Sequence, residues 1–168
     1  MNDPSPAAQL PDDFSDLFEA FLDAGVEFVV VGSYALARHG YVRATLDLDV
    51  LVRPSAENAT RVADALVAFG APLVAHGVDP LDFARPGTVY QLGVPPLRID
   101  VLTEISGVTF EDVWQSRLVV DFGGMKVPVI GRGALLRNKR ASGRPKDRSD
   151  VDALERIRPR DEDQTAAD

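Results

Sequence analysis

An α+β fold, a mixed sheet with flanking helices, is predicted for this chain by three observations. Phe14, Leu17, Phe18, Phe21 and Leu22 recur at helical spacing near the start. Short β-branched runs bounded by glycine and proline follow, at residues 26–31 and 46–52 and in VYQLGV, LRIDVL, RLVVDF and MKVPVI. Helical and strand-like stretches interleave along the chain instead of segregating, which favours one sheet covered by helices, although the order of its strands is not readable.

Each element has a local cause. Residues 12–24 form an amphipathic helix that Gly25 stops, and residues 26–31 form a buried strand between Gly25 and Gly32. Gly32 and Ser33 break that strand, and residues 34–38 start a helix, followed by a loop over 40–45. Residues 46–52 alternate in type until Pro54. Ser55 is placed to N-cap a helix through Phe69, with Val62, Leu66 and Phe69 inward and Gly70 as its stop. The strands VYQLGV and LRIDVL are set apart by the Pro86-Gly87 and Pro95-Pro96 turns, a short helix covers 109–115, and Gly123-Gly124 joins a hairpin. Residues 134–140 and 147–157 read as helices joined by Ser142-Gly143-Arg144-Pro145. Residues 1–11 and 158–168 are polar and aperiodic, so disordered ends are expected around one domain at 12–157.

Composition limits the chemistry. The 168 residues are 45% hydrophobic, enough for one conventional core. No apolar run is long enough to span a bilayer and the N-terminus is acidic, so a soluble, cytoplasmic protein is expected. With no cysteine and only His39 and His76, thiolate and histidine-rich metal sites are excluded, and any metal should be a hard cation held by oxygen. A net charge of −8 argues against coating long nucleic acids. Residues 132–148 nevertheless hold seven cations against Asp147 alone, which suits a compact anion or an RNA end, or else a solvated helix face.

Two aspartates stand inside an apolar strand in LDLDV. Side chains two apart on a strand share a face, so Asp47 and Asp49 point one way while Leu46, Leu48 and Val50 enter the core. Two such carboxylates repel unless a cation lies between them, and Mg²⁺ fits because it prefers oxygen and shares its shell with phosphates. Asp100 interrupts LRIDVL in the same manner and supplies a third carboxylate. Gly32 lets the backbone approach a ligand, and Ser33 with the amides after it favours phosphate, although a plain strand-to-helix turn with a cap would also use this pair.

The segment V-G-S, thirteen residues, then D-L-D-V resembles the signature of the polymerase-beta-like nucleotidyltransferase superfamily. Asp100 in R-I-D-V-L is similar to that family's third carboxylate. LLRNKRASGRPKDRSDVDAL looks like the closing element of its small prokaryotic members, among them toxins of abortive-infection and toxin–antitoxin systems. The resemblance spans about residues 13–157. It implies the corresponding fold, with Gly32 and Ser33 holding a triphosphate and Asp47 and Asp49 binding two Mg²⁺ ions. Asp100 would complete the metal site and help deprotonate the acceptor. Lys139, Lys146 and Asp147 would lie by the nucleotide, with helix capping as the alternative for Asp147. Asp150 reads as structural, paired with an arginine.

The implied activity is Mg²⁺-dependent transfer of an NMP from an NTP to a hydroxyl on RNA, such as a tRNA end, on a protein, or on a small molecule. The alternatives are a non-catalytic antitoxin-like module on the same fold, with a cognate toxin as partner, and a D-x-D glycosyltransferase, which short length disfavours. Arg38, Arg43 and Arg53 read as solvated in preference to phosphate-bound, His39 as a polar loop residue, and Trp114 as core or edge packing.

Overall fold

The computed structural model describes residues 10–42, 47–94 and 97–159. Six strands form one mixed sheet: β1 (Phe28–Val31), β2 (Leu48–Val52), β3 (Val89–Leu92), β4 (Ile99–Leu102), β5 (Leu118–Phe122) and β6 (Met125–Val129). Their order across the sheet is β3-β4-β2-β1-β6-β5. Two pairs are parallel, β2 with β4 and β1 with β6, and the rest antiparallel. The expected α+β architecture is therefore present.

The helices are α1 (Asp12–Asp23), α2 (Gly32–Arg38), α3 (Ala56–Phe69), α4 (Phe110–Gln115), α5 (Arg132–Ser142) and α6 (Pro145–Arg156). The spacing in α1 buries Phe14, Leu17, Phe18 and Phe21 completely. Phe18 and Phe21 meet Phe28 of β1 with ring centroids 6.1 and 5.2 Å apart, which ties the first helix to the first strand. In α3, Ser55 accepts a hydrogen bond from the Asn58 amide and Gly70 ends the helix in the left-handed region, as those residue types require.

Several expectations shift. α5 begins earlier and ends later than residues 134–140, and α6 opens at Pro145, whose fixed φ suits a first helical turn. β2 begins at Leu48, and Leu46, Arg43 and the Pro95-Pro96 turn lie outside the described residues, as do the terminal segments 1–9 and 160–168. A 3₁₀ turn, Pro80–Ala84, was not anticipated, although Asp79 and Asp82 form a capping box around it. Two polar groups are structural. His39, in the turn that ends α2, is buried, its Nε2–H donating to the Ile130 carbonyl at 2.9 Å. Arg53, partly exposed, is bound to Glu27 and Glu111 and stacks on Phe110, 4.6 Å from the ring centroid, so its charge is committed to protein partners. Trp114 stacks on Phe110 in the same cluster, as edge packing.

Candidate active site

The sheet brings the three aspartates together. Antiparallel pairing sets Val31, at the end of β1, opposite Asp49 near the start of β2. Parallel pairing of β2 with β4 then sets Asp49 opposite Asp100. Asp47 immediately precedes β2 and shares the Asp49 face by alternation. The apolar partners behave as strand periodicity requires: Leu48, Val50, Ile99 and Val101 are buried.

Gly32 sits where β1 ends, at φ +68°, and a Cβ placed on it would overlap Oδ2 of Asp49. Only glycine admits both that backbone conformation and that carboxylate. Ser33 lines the same cavity, of about 280 Å³, together with Asp47, Asp49, Asp100, Lys139, Lys146 and Asp147. Every residue expected by sequence to act at the site therefore borders one cleft, since Gly32 does as well.

Electrostatics there are dominated by crowding. Burial, then the charge and hydrogen bond of Asp100, then the charge of Asp47 raise the Asp49 carboxyl to about 7, while Lys139 pulls the other way. Arg98 supplies the local countercharge, 3.1 Å from Asp47 and 3.4 Å from Asp100. Its role was not foreseen, yet a signal existed: Arg98 stands two residues before Asp100, which is the same-face spacing of a strand.

The expected cations divide into two groups. Lys139 is buried and lies 3.0 Å from Asp147 and 3.2 Å from Asp150, so its charge is already paired. Asp150, expected to be structural, is fully buried and ion-paired with Lys139. Asp147 is also bonded by the Ser142 hydroxyl and by Arg144 at 2.8 Å. Burial would raise its carboxyl, but the Ser142, Lys139 and Arg144 hydrogen bonds outweigh that and hold it at about 2. Capping does not describe it, because it ties the start of α6 back to α5. Lys146 also lines the cleft.

The donor set fits a hard divalent cation. Oδ1 of Asp47 and Oδ1 of Asp100 are buried without a hydrogen-bond partner, and among the described residues Arg98 is ion-paired with two of the three carboxylates. Among the described residues no group of three or more His, Asp or Glu side chains is placed to hold a metal ion by itself. Mg²⁺ commonly takes only one or two carboxylates and completes its shell with water and substrate phosphate.

No protein-family model and no curated protein matches the chain. Among solved structures, a provisionally assigned nucleotidyltransferase from Thermotoga maritima superposes with a TM-score of 0.56 at 16% identity, covering 86% of this chain and 91% of that one. An antigenic nucleotidyltransferase-like protein from Paracoccidioides brasiliensis gives a TM-score of 0.48 at 18% identity, covering 92% of this chain and 84% of that one. The second likeness is too loose to add weight, and at such identity the first speaks to architecture alone. With the sheet order and flanking helices described above, it shows that this chain has the nucleotidyltransferase fold.

Proposed function

We propose that the chain is a divalent-metal-dependent nucleotidyltransferase, moving an NMP from an NTP to a hydroxyl acceptor. The observation that supports this reading most is the convergence of Asp47, Asp49 and Asp100 on one cleft, with Gly32 packed against Asp49 and Ser33 and Lys146 on the rim. Asp47, Asp49 and Asp100 would hold up to two Mg²⁺ ions. When bound, these would polarise the phosphoryl oxygens and offset the charge of the leaving pyrophosphate.

The chain's own groups account for the remaining requirements. Gly32 leaves room for a phosphate beside the backbone, Ser33 offers a hydroxyl donor, and Lys146 offers a point charge to the triphosphate. Asp100, whose buried Oδ1 accepts no hydrogen bond and meets only the Arg98 ion pair at 3.4 Å among the described residues, is placed to take the proton of the attacking hydroxyl. A bond then forms from that oxygen to the α-phosphorus as the bond to the pyrophosphate oxygen breaks. Arg98 keeps Asp47 and Asp100 oriented before ligand arrives.

The acceptor is an RNA end, a protein hydroxyl or a small molecule, and a toxin–antitoxin or phage-defence setting rests on the sequence resemblance alone. Among the described residues no helix is long and apolar enough to cross a membrane. The test supplies each α-labelled NTP with Mg²⁺ and, separately, total RNA, cell protein and aminoglycosides. Label should move into one acceptor class and fail to do so with Asp47→Asn. Absence of transfer to all three, with folded wild-type protein, would sink the proposal.

A further inference from the structure

The cleft has a second lobe of different chemistry. Both lobes share a wall that includes Gly32, Asp49 and Leu102. The second, of about 230 Å³, lacks Asp47, Arg98, Asp100 and Lys146 and is lined instead by Glu104, Ser106 and Asn138, with aliphatic surface from Val31 and Ile105. The cations on its wall, Lys139 and Arg144, are each already paired with Asp147. Phosphate is disfavoured beside the uncompensated Glu104 carboxylate. A flat, neutral ring with N–H donors suits the lobe.

This lobe is preorganised. Asp100 and Leu102 share one face of β4, Glu104 follows just beyond the strand, and the next turn is pressed onto α5. Gly107 has φ +78°, and a Cβ there would overlap Ala141 and lie 2.9 Å from the Arg137 carbonyl oxygen. Asn138 Nδ2 donates to the Ser106 carbonyl at 2.9 Å, clamping turn to helix. That bond uses one of the amide's two N–H groups and fixes its orientation, leaving Oδ1 as an acceptor. Glu104 forms no hydrogen bond or ion pair among the described residues. Two acceptors are thus presented from rigid supports.

We infer that this lobe is the nucleobase subsite and that Glu104 and Asn138 select an amino-bearing base, guanine foremost. The inference rests on the nucleotidyl-transfer reading of the adjoining lobe. Guanine presents N1–H and N2–H side by side, matching a carboxylate as two parallel donors. Adenine and cytosine offer one amine each, and uracil sets two carbonyls around its single N–H, against the negative charge of Glu104. A cavity of this size takes one ring system, whereas a polymer end would bring neighbours it cannot hold.

Equilibrium binding of GTP, ATP, CTP, UTP and inorganic tripolyphosphate, each with Mg²⁺ and without acceptor, tests this on wild-type protein and Glu104→Gln. GTP should bind about tenfold more tightly than UTP, the difference expected for one bidentate base contact, and Glu104→Gln should erase most of that gap. Glu104 is exposed, so the variant should fold, which circular dichroism checks. Equal affinity for all four nucleotides, or a preference that survives in Glu104→Gln, overturns the base subsite while leaving nucleotidyl transfer standing. Failure to bind any nucleotide or tripolyphosphate overturns both.

Discussion

Replacing Lys139 by alanine should unfold the protein more readily, before any effect on catalysis is considered. Its ammonium lies within 3.2 Å of Asp150 and 3.0 Å of Asp147, whose side chains are 0% and 1% exposed. Removing one partner of a buried pair leaves uncompensated charge and costs about 3–5 kcal/mol. For a chain of this size each kcal/mol lowers Tm by about 2–4 °C, so a fall of roughly 6–20 °C is expected. The deficit should depend on pH with a defined sign. Asp147 is held at about 2, so its contribution is fully present above the ordinary Asp value and is lost as pH falls toward 2. The gap between wild type and Lys139→Ala should therefore be widest near neutrality and shrink on acidification. Thermal melts followed by circular dichroism from pH 3 to pH 8 measure it. A variant that melts like wild type at pH 7, yet binds NTP more weakly and in a salt-sensitive way, would refute the structural assignment and make Lys139 a phosphate ligand.

Gly32→Ala should cost about 1–2 kcal/mol from left-handed backbone strain alone, and the new methyl should push Asp49 aside, weakening Mg²⁺-NTP binding. Calorimetric titration showing wild-type affinity would contradict the close packing of Gly32 on Asp49. The Asp49 carboxyl titrates at about 7 in the folded, metal-free protein, above its unfolded value, so its contribution to stability is fully present below about pH 3.8 and declines as pH rises toward 7. Asp49→Asn should abolish transfer yet flatten that decline, which approaches about 1.4 kcal/mol per pH unit for one proton, and parallel wild-type and variant curves would show that the proton resides elsewhere.

Local chemistry was legible in the sequence wherever a residue acts on its own neighbours. Ser55 and Gly70 bracket α3, the glycine pair turns the last hairpin, and the alternation around Asp49 and Asp100 separates carboxylates from core. Side-chain partnerships across long sequence distances were not legible. The imidazole of His39 reaches the carbonyl of Ile130, and Arg53 joins Glu27 to Glu111, contacts that depend on which strands lie side by side. Parallel pairing of β2 with β4 is of this kind too, and it alone turns two separate aspartate motifs into one cluster.

The same distinction changes how the basic segment at 132–148 should be understood. By sequence its seven cations against one aspartate suggest a stripe awaiting an anion. In the folded protein Lys139 is paired with Asp147 and Asp150, Arg144 with Asp147, Arg140 with Glu155, and Arg132 donates to the Leu154 carbonyl. Two of those acids, Asp150 and Glu155, lie beyond the segment that holds the excess of cations. Three of the seven cations, Arg132, Lys139 and Arg140, therefore fasten α5 to α6, Arg144 is committed to Asp147 at the start of α6, and Lys146 lines the cleft. The charge imbalance lies around the three carboxylates, where among the described residues Arg98 is ion-paired with Asp47 and Asp100 and leaves a net negative charge. If the proposed function holds, a cleft so arranged would attract a divalent cation first and a polyphosphate through it, and metal-free nucleotide binding would be weak. Affinity for NTP should accordingly rise steeply with Mg²⁺.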